Sequence, residues 1–164
     1  PVRIQVDRVS VRRAKWKIKA IASRADNLTP AWPKAGSYLS QANRKQFTSR
    51  GAYYGTPWKP LKPAYAQWKL RNGYGRRVLV LTGAMKISFI SRPMSVERYY
   101  KQSAVFGSDN RLAPFHQYGT HRNGKPAIPA RPIMKVTPKV AADIKAMLQE
   151  YVVNGKIPSV KGYL

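Results

Sequence analysis

Side chains able to run hydrolysis, group transfer or metal chemistry are few in this chain, and they are spread out. The acids are Asp7, Asp26, Glu97, Asp109, Asp143 and Glu150. Carboxylate catalysis needs a held pair, and a divalent cation needs several oxygen ligands at short spacing. No two of these six share such a spacing. His116 and His121 stand without cysteine and without an HExxH pattern, so a zinc site lacks its donors. His116, beside Phe115 and just ahead of Gly119, reads as a hydrogen-bonded structural histidine. No GxxxxGK[ST] loop is present, and Gly73-Tyr74-Gly75 lacks the rest of a dinucleotide fingerprint. The expectation is a protein without catalytic residues, metal or cofactor.

Positive charge is the abundant chemistry. Thirty-one Lys and Arg against 6 Asp and Glu give a formal net charge of +25 over 164 residues. A solitary small domain is comfortable at a magnitude of about 2 to 8, so the chain is expected to meet polyanions. Nucleic-acid phosphates and acidic protein surfaces both satisfy that need. A hydrophobic content of 43%, with 4 Trp and 10 Tyr, is too high for a disordered chain. The absence of cysteine is compatible with intracellular synthesis. No apolar run approaches the roughly 20 residues of a membrane span, and the N-terminus lacks the apolar core of a signal peptide, so neither export by that route nor a membrane partner is expected.

The elements that must carry these residues follow from periodicity and punctuation. Val2, Ile4 and Val6 alternate within residues 1–8, as in an edge strand or an ordered arm. From about Ser10, Val11, Ala14, Ile18, Ile21 and Ala25 fall at helical spacing, with Arg8, Arg12, Lys15 and Lys19 on another face. That basic stripe is either a solvated outer face or a contact for an acidic partner or DNA. Thr29-Pro30 and Trp32-Pro33 break this helix. A second runs from about Lys34 to Ser49, with Ala35, Leu39, Ala42, Gln46 and Phe47 inward.

Between Tyr53 and Gly75, aromatics and prolines interleave with Lys59, Lys62, Lys69, Arg71, Arg76 and Arg77. A base-stacking platform is one reading. The preferred one is a loop held on the core by Trp58 and a short helix from Pro63 to Leu70, because the proline-rich spacing gives no regular row of exposed rings. Val78 to Leu81 is apolar and partly β-branched, and Thr82 is the expected N-cap of a helix over Met85 to Phe89. Strands are predicted at about Met94 to Tyr100 and Gln102 to Gly107. A helical turn over Leu112 to Gly119 and a tight hairpin at Asn123-Gly124 follow, with Ile133 to Val136 as the returning strand. Thr137, Pro138 and Gly155 bracket the last helix, whose apolar stripe is Val140, Ile144, Met147, Leu148, Tyr151 and Val152. Residues 156–164 form a basic tail, expected to be mobile unless a neighbour orders it.

Three punctuated segments stand out: Leu81-Thr82-Gly83-Ala84-Met85, Pro114-Phe115-His116-Gln117-Tyr118-Gly119 and Ile128-Pro129-Ala130-Arg131-Pro132. Together with Gly55-Thr56-Pro57-Trp58-Lys59-Pro60-Leu61 and Val105-Phe106-Gly107-Ser108, they resemble, in order, the virion-morphogenesis and tail-completion proteins of tailed bacteriophages. The resemblance covers about residues 47–153, with Met85 in place of the usual Leu. It does not reach the N-terminal 30 residues or the charge.

The elements together predict an α+β domain over 31–155, preceded by a basic arm or helix over 1–30, with helices around a small, mostly antiparallel sheet and the last helix across it. The resemblance implies a structural virion protein of the neck or proximal tail, a ring of subunits expected to number six, meeting connector, terminator and tail-tube proteins around the DNA channel. Trp58, Leu61, Thr82, Gly83, Phe115, His116, Gln117, Gly119, Ile128, Pro129, Arg131 and Pro132 would be its structural or subunit-interface residues. Arg131 would be a clamp aimed at a carboxylate or at backbone carbonyls, with Trp58, Phe115 and Ile128 as packing anchors. Tail terminator and other minor virion proteins are alternatives within that class. A free-standing basic nucleic-acid-binding protein is the alternative outside it.

Overall fold

The structure is a computed structural model that describes residues 7–157 and 159–160. The alternation at Val2, Ile4 and Val6 lies outside the described residues. Asp7 caps the first helix, α1 (Arg8–Asp26), accepting from the Val9 and Ser10 amides at 3.0 Å each. That cap starts the helix ahead of the apolar periodicity, and the Ser10 hydroxyl, donating to the same carboxylate at 2.7 Å, together with these amides holds the Asp7 carboxyl below its usual range.

The spine of the molecule is α2 (Trp32–Thr48). It begins at Trp32, earlier than predicted, because Pro33 sits in the first turn, where a missing N–H costs nothing. Ala35, Leu39, Ala42, Gln46 and Phe47 are all buried, as the spacing predicts, and Tyr38, Ser40 and Asn43 join them. Gly36 lets the first hairpin come close, since a Cβ there would collide with Arg92, Glu97 and Phe106. A 3-10 turn (Ala52–Tyr54) and α3 (Pro63–Arg71) follow, then α4 (Ala84–Ile90). Gly83, with φ 93°, rather than Thr82, takes the cap position of α4. The Thr82 hydroxyl accepts only the Ala84 amide, at 3.4 Å.

The class is α+β, as expected, and the strand content is divided between two separate antiparallel hairpins. In the first, β1 (Val96–Tyr99) pairs with β2 (Ala104–Gly107). After α5 (Ala113–Tyr118), β3 (Thr120–Arg122) pairs with β4 (Lys125–Ile128) through the predicted Asn123-Gly124 turn. The returning strand is therefore β4, and Ile133 to Val136 is not a strand. The Gln117 side chain stands where a strand neighbour would. Its Oε1 accepts from Ile133 N at 2.8 Å, and its Nε2 donates to the Met134 carbonyl at 2.7 Å.

The last helix, α6 (Pro138–Asn154), has the predicted Thr137 cap, first-turn proline and terminal Gly155. It packs on α1 and α2. One core cluster joins Tyr38, Leu39 and Ala42 of α2 to Tyr54, Met94, Val140, Met147 and Val160. Val160 lies in the segment expected to be mobile, yet only 4% of its surface is exposed. The other cluster gathers Phe47, Trp58, Met85, Phe89, Ala113 and Ile133.

Candidate assembly surfaces

Beside the second cluster a cavity of about 560 Å³ opens between the first residues of α3, the turn before α4, α5 and the segment after β4. Seven of the residues singled out in the sequence line it: Leu61, Thr82, Gly83, His116, Ile128, Pro129 and Arg131. Leu79, Val80, Leu81, Met85 and Leu112 make the rest of its wall largely apolar. Residues about 50 to 70 positions apart in sequence thus share one concave surface.

Arg131 is buried, with 6% of its surface exposed. Its Nε donates to the Lys59 carbonyl at 2.9 Å and its Nη2 to the Pro60 carbonyl at 3.0 Å. Within the chain it thereby ties the loop after Trp58 to the segment after β4. Trp58 closes the same junction, its Nε1 donating to the Pro132 carbonyl at 2.9 Å and its ring meeting Phe47 edge-on at 5.3 Å. Gly119 turns the chain with φ 77°, and a Cβ there would lie 2.8 Å from Ala130 N.

His116 is half-buried. Its carbonyl accepts from Arg131 N at 2.6 Å, but its Nδ1 is buried without a hydrogen-bond partner. The hydrogen-bonded side chain that the sequence suggests is therefore not formed. Burial and, secondarily, the Arg131 cation hold the imidazole below its ordinary pKa. Phe115 is 49% exposed and Tyr118 79%, so Phe115 is a surface ring and not a packing anchor. Ile128 is half-buried in the cavity wall.

Lys69 was invisible to the sequence reading as a site residue. It is 2% exposed, and its Nζ donates to the carbonyls of Arg77 at 2.8 Å and Val80 at 2.6 Å. It thus holds the turn in which Leu79 adopts a left-handed φ of 59°, uncommon outside glycine. Burial lowers its pKa. The usable signal was the spacing Leu61, Tyr65, Lys69, which puts all three on one side of the α3 region and into the cavity wall.

A row of rings does form on α3 and the turn just after it. Tyr65 stacks on Trp68 at 5.6 Å and Trp68 on Tyr74 at 5.8 Å, with Tyr65 and Trp68 each 45% exposed. The helix brings Tyr65 and Trp68 together by its i, i+3 geometry, which the proline count of the surrounding loop conceals.

The second surface is α1. None of its residues is buried, and Arg8, Arg12, Lys15 and Lys19 are all exposed. So are Val11, Trp16 and Ile18, at 38%, 70% and 66%. Only its C-terminal end is anchored: Arg24 donates to the carbonyls of Val152 at 2.8 Å and Val153 at 2.9 Å, at the end of α6. A shallow apolar groove beside that anchor is lined by Ala25, Leu28, Ile144, Leu148 and Val152. Among the described residues no cluster of His, Asp or Glu is placed to hold a metal ion, and no helix is long and apolar enough to cross a membrane.

The sequence model of the phage virion morphogenesis family matches residues 9–153. The chain belongs to that family. It is a phage structural or assembly protein, associated with the virion. Among curated proteins it is similar to Mu-like prophage FluMu G protein 2 of Haemophilus influenzae, with 35% identity over 92 residues, which is 55% of this chain. The aligned part spans 60% of that relative's length. No solved structure matches the chain. The match to the virion morphogenesis family begins ahead of the resemblance seen in the sequence, which starts near residue 47. It takes in α1 and α2, so the exposed basic helix lies within the family's span.

Proposed function

We propose that this member of the virion morphogenesis family is a tail-completion component of the phage neck, assembling as a ring that joins the tail tube to the portal-side connector around the DNA channel. Its work is geometric, with no reaction catalysed. Heterologous contacts between copies close the ring, expected to hold six.

One observation carries this reading. The first two-thirds of α1 presents Val11, Ala14 and Ile18 to solvent beside a run of cations. An isolated helix shorter than about 12 to 15 residues is marginal in water, so this part needs a neighbour to cover it. Arg8, Arg12, Lys15 and Lys19 suit an acidic ring above or below. The test is to purify the chain, weigh its particles and image them by negative stain, and to label it in virions. Six-membered rings and label at the head–tail junction are expected. A chain that stays monomeric at high concentration and is missing from purified virions would end the proposal. Label at the far side of the junction would favour a tail terminator, and label elsewhere on the virion another minor virion protein.

A second reading has its own observation: the ladder Tyr65, Trp68, Tyr74 lies close in sequence to Lys62, Arg71, Arg76 and Arg77. It supports nucleic-acid contact, whether by DNA in the channel or by a free-standing basic protein. In a gel-shift titration such binding would weaken with salt, log K falling by about 0.9 per phosphate neutralised for each unit of log salt. Binding that vanishes when α1 is charge-reversed would move the phosphate contact from the ladder to that helix.

A further inference from the structure

The cavity beside α3 carries charge that nothing in the chain balances. Lys69 and Arg131, 2% and 6% exposed, both line it. Among the described residues neither meets a carboxylate: their partners are the carbonyls of Arg77, Val80, Lys59 and Pro60. A buried cation without a counterion is costly, and carbonyl dipoles offset only part of that cost. Donor capacity is left over. An ammonium has three N–H groups and a guanidinium five, and two of each are used here. His116, in the same wall, keeps a buried Nδ1 without a partner.

We infer that this cavity is a docking pocket for an acidic, apolar segment of a neighbouring virion protein, whose carboxylate completes the hydrogen bonding of Lys69, Arg131 and His116 while an adjoining aliphatic side chain fills the rest. Two features choose this occupant over a free anion. The wall is mostly aliphatic, supplied by Leu61, Leu79, Leu81, Met85 and Ile128, which suits a side chain and not a hydrated phosphate. The site is also cationic on a protein of net charge +25, so the partner is expected to bring the negative charge, and another copy of this chain is a poor source of it. The inference rests on reading the chain as an assembly component, without depending on where in the virion it sits.

The test uses the full chain and three probes: N-acetyl-leucine, which couples a carboxylate to an isobutyl group; N-acetyl-leucinamide, the same body without charge; and inorganic phosphate. Binding is followed by NMR of the His116 imidazole and of the Met85 and Ile128 methyl groups. The acid should move all three and bind at least about tenfold tighter than the amide, the effect of one well-placed charge pair. It should also raise the His116 pKa, since a carboxylate relieves the burial and the Arg131 field that hold it down. Lys69→Met should remove the preference for the acid. Because Lys69 also holds the turn around Leu79, Lys62→Glu on the exposed rim is the companion variant, expected to weaken the acid several-fold with unchanged thermal unfolding. Equal affinity for acid and amide, no movement of His116 with the acid, or a response to phosphate alone would each overturn the inference. Ring formation is read separately by particle mass, so a monomer that still prefers the acid would refute the ring and not the pocket.

Discussion

Two buried polar regions, one along α2 and one in the cavity wall, are built on opposite rules. Along α2, Asn43 donates to the Phe89 carbonyl at 3.2 Å and accepts from the Tyr54 hydroxyl at 3.0 Å. Gln46 accepts from Tyr54 N at 3.0 Å and donates to the Pro132 carbonyl at 2.8 Å. These are neutral amides whose partners lie within the chain, and they stitch α4, the 3-10 turn and the segment after β4 to one helix. In the cavity the polar groups are cations and an imidazole, partly satisfied and without an anion. A complete neutral network specifies one packing. An incomplete charged one at the surface of a core specifies a partner, and the difference separates the part of the chain that holds itself together from the part that waits for a neighbour.

The comparison breaks most visibly at the junction. Trp58→Ala should remove a buried ring from between Phe47 and the Pro132 carbonyl, costing about 3 to 5 kcal/mol in denaturant unfolding. Gln46→Leu fills a similar volume yet strands the buried Tyr54 amide, while the Pro132 carbonyl keeps its bond from Trp58 Nε1, for a loss of about 1 to 3 kcal/mol. Lys69→Met is the sharpening experiment. It also strands two carbonyls, but it removes an uncompensated buried charge, so its cost should fall below that of Gln46→Leu, at about 1 kcal/mol or less. If urea unfolding ranks Lys69→Met as the worse of the two, the cavity is a structural network like that of α2 and the contrast disappears.

The sequence carried one side of this contrast far better than the other. Helical periodicity found the inward face of α2, and punctuation found the Asn123-Gly124 turn, though not the strand that returns from it, and both ends of α6, since caps and turns are written in local residue types. What it missed depends on distance. Gln117 replacing a strand partner for Ile133 and Lys69 reaching Val80 are side-chain meetings that no local pattern encodes. The candidate site was half legible for the same reason. Glycine and proline marked the corners at Gly83, Gly119 and Pro129, while the cation that makes the cavity unusual sits in an ordinary helix.

The titration of His116 sharpens the comparison from another side. Its folded pKa is lowered from 6.5, so below about that pH the unfolded chain binds the proton more readily than the folded one. The stability it contributes is therefore fully present above pH 6.5 and is lost as pH falls from there towards the lowered folded value. His116→Gln should flatten that limb in melting scans between neutral and mildly acidic pH. A bound carboxylate should flatten it as well, by raising the folded pKa towards the unfolded one. The amides of α2 do not titrate, so Asn43→Asp, which places a titratable group in the closed network, should make the region pH-sensitive where it is now inert.

The smallest effect on stability is expected at α1, and it separates folding from assembly most cleanly. Ile18 is 66% exposed and the helix buries no residue, so Ile18→Ser should change unfolding of the isolated chain by less than about 0.5 kcal/mol. Reversing Arg8, Arg12, Lys15 and Lys19 should do equally little, or help slightly by lowering self-repulsion. Both changes should nonetheless abolish rings and head–tail joining if a neighbour covers this face. Arg24→Ala forms the control from within the same helix: it removes the tie to the end of α6 and should loosen α1 as measured by amide exchange. Variants of Ile18 and of the basic stripe that assemble normally would show that α1 is a solvated outer face, leaving the cavity as the surface through which this protein meets its neighbours.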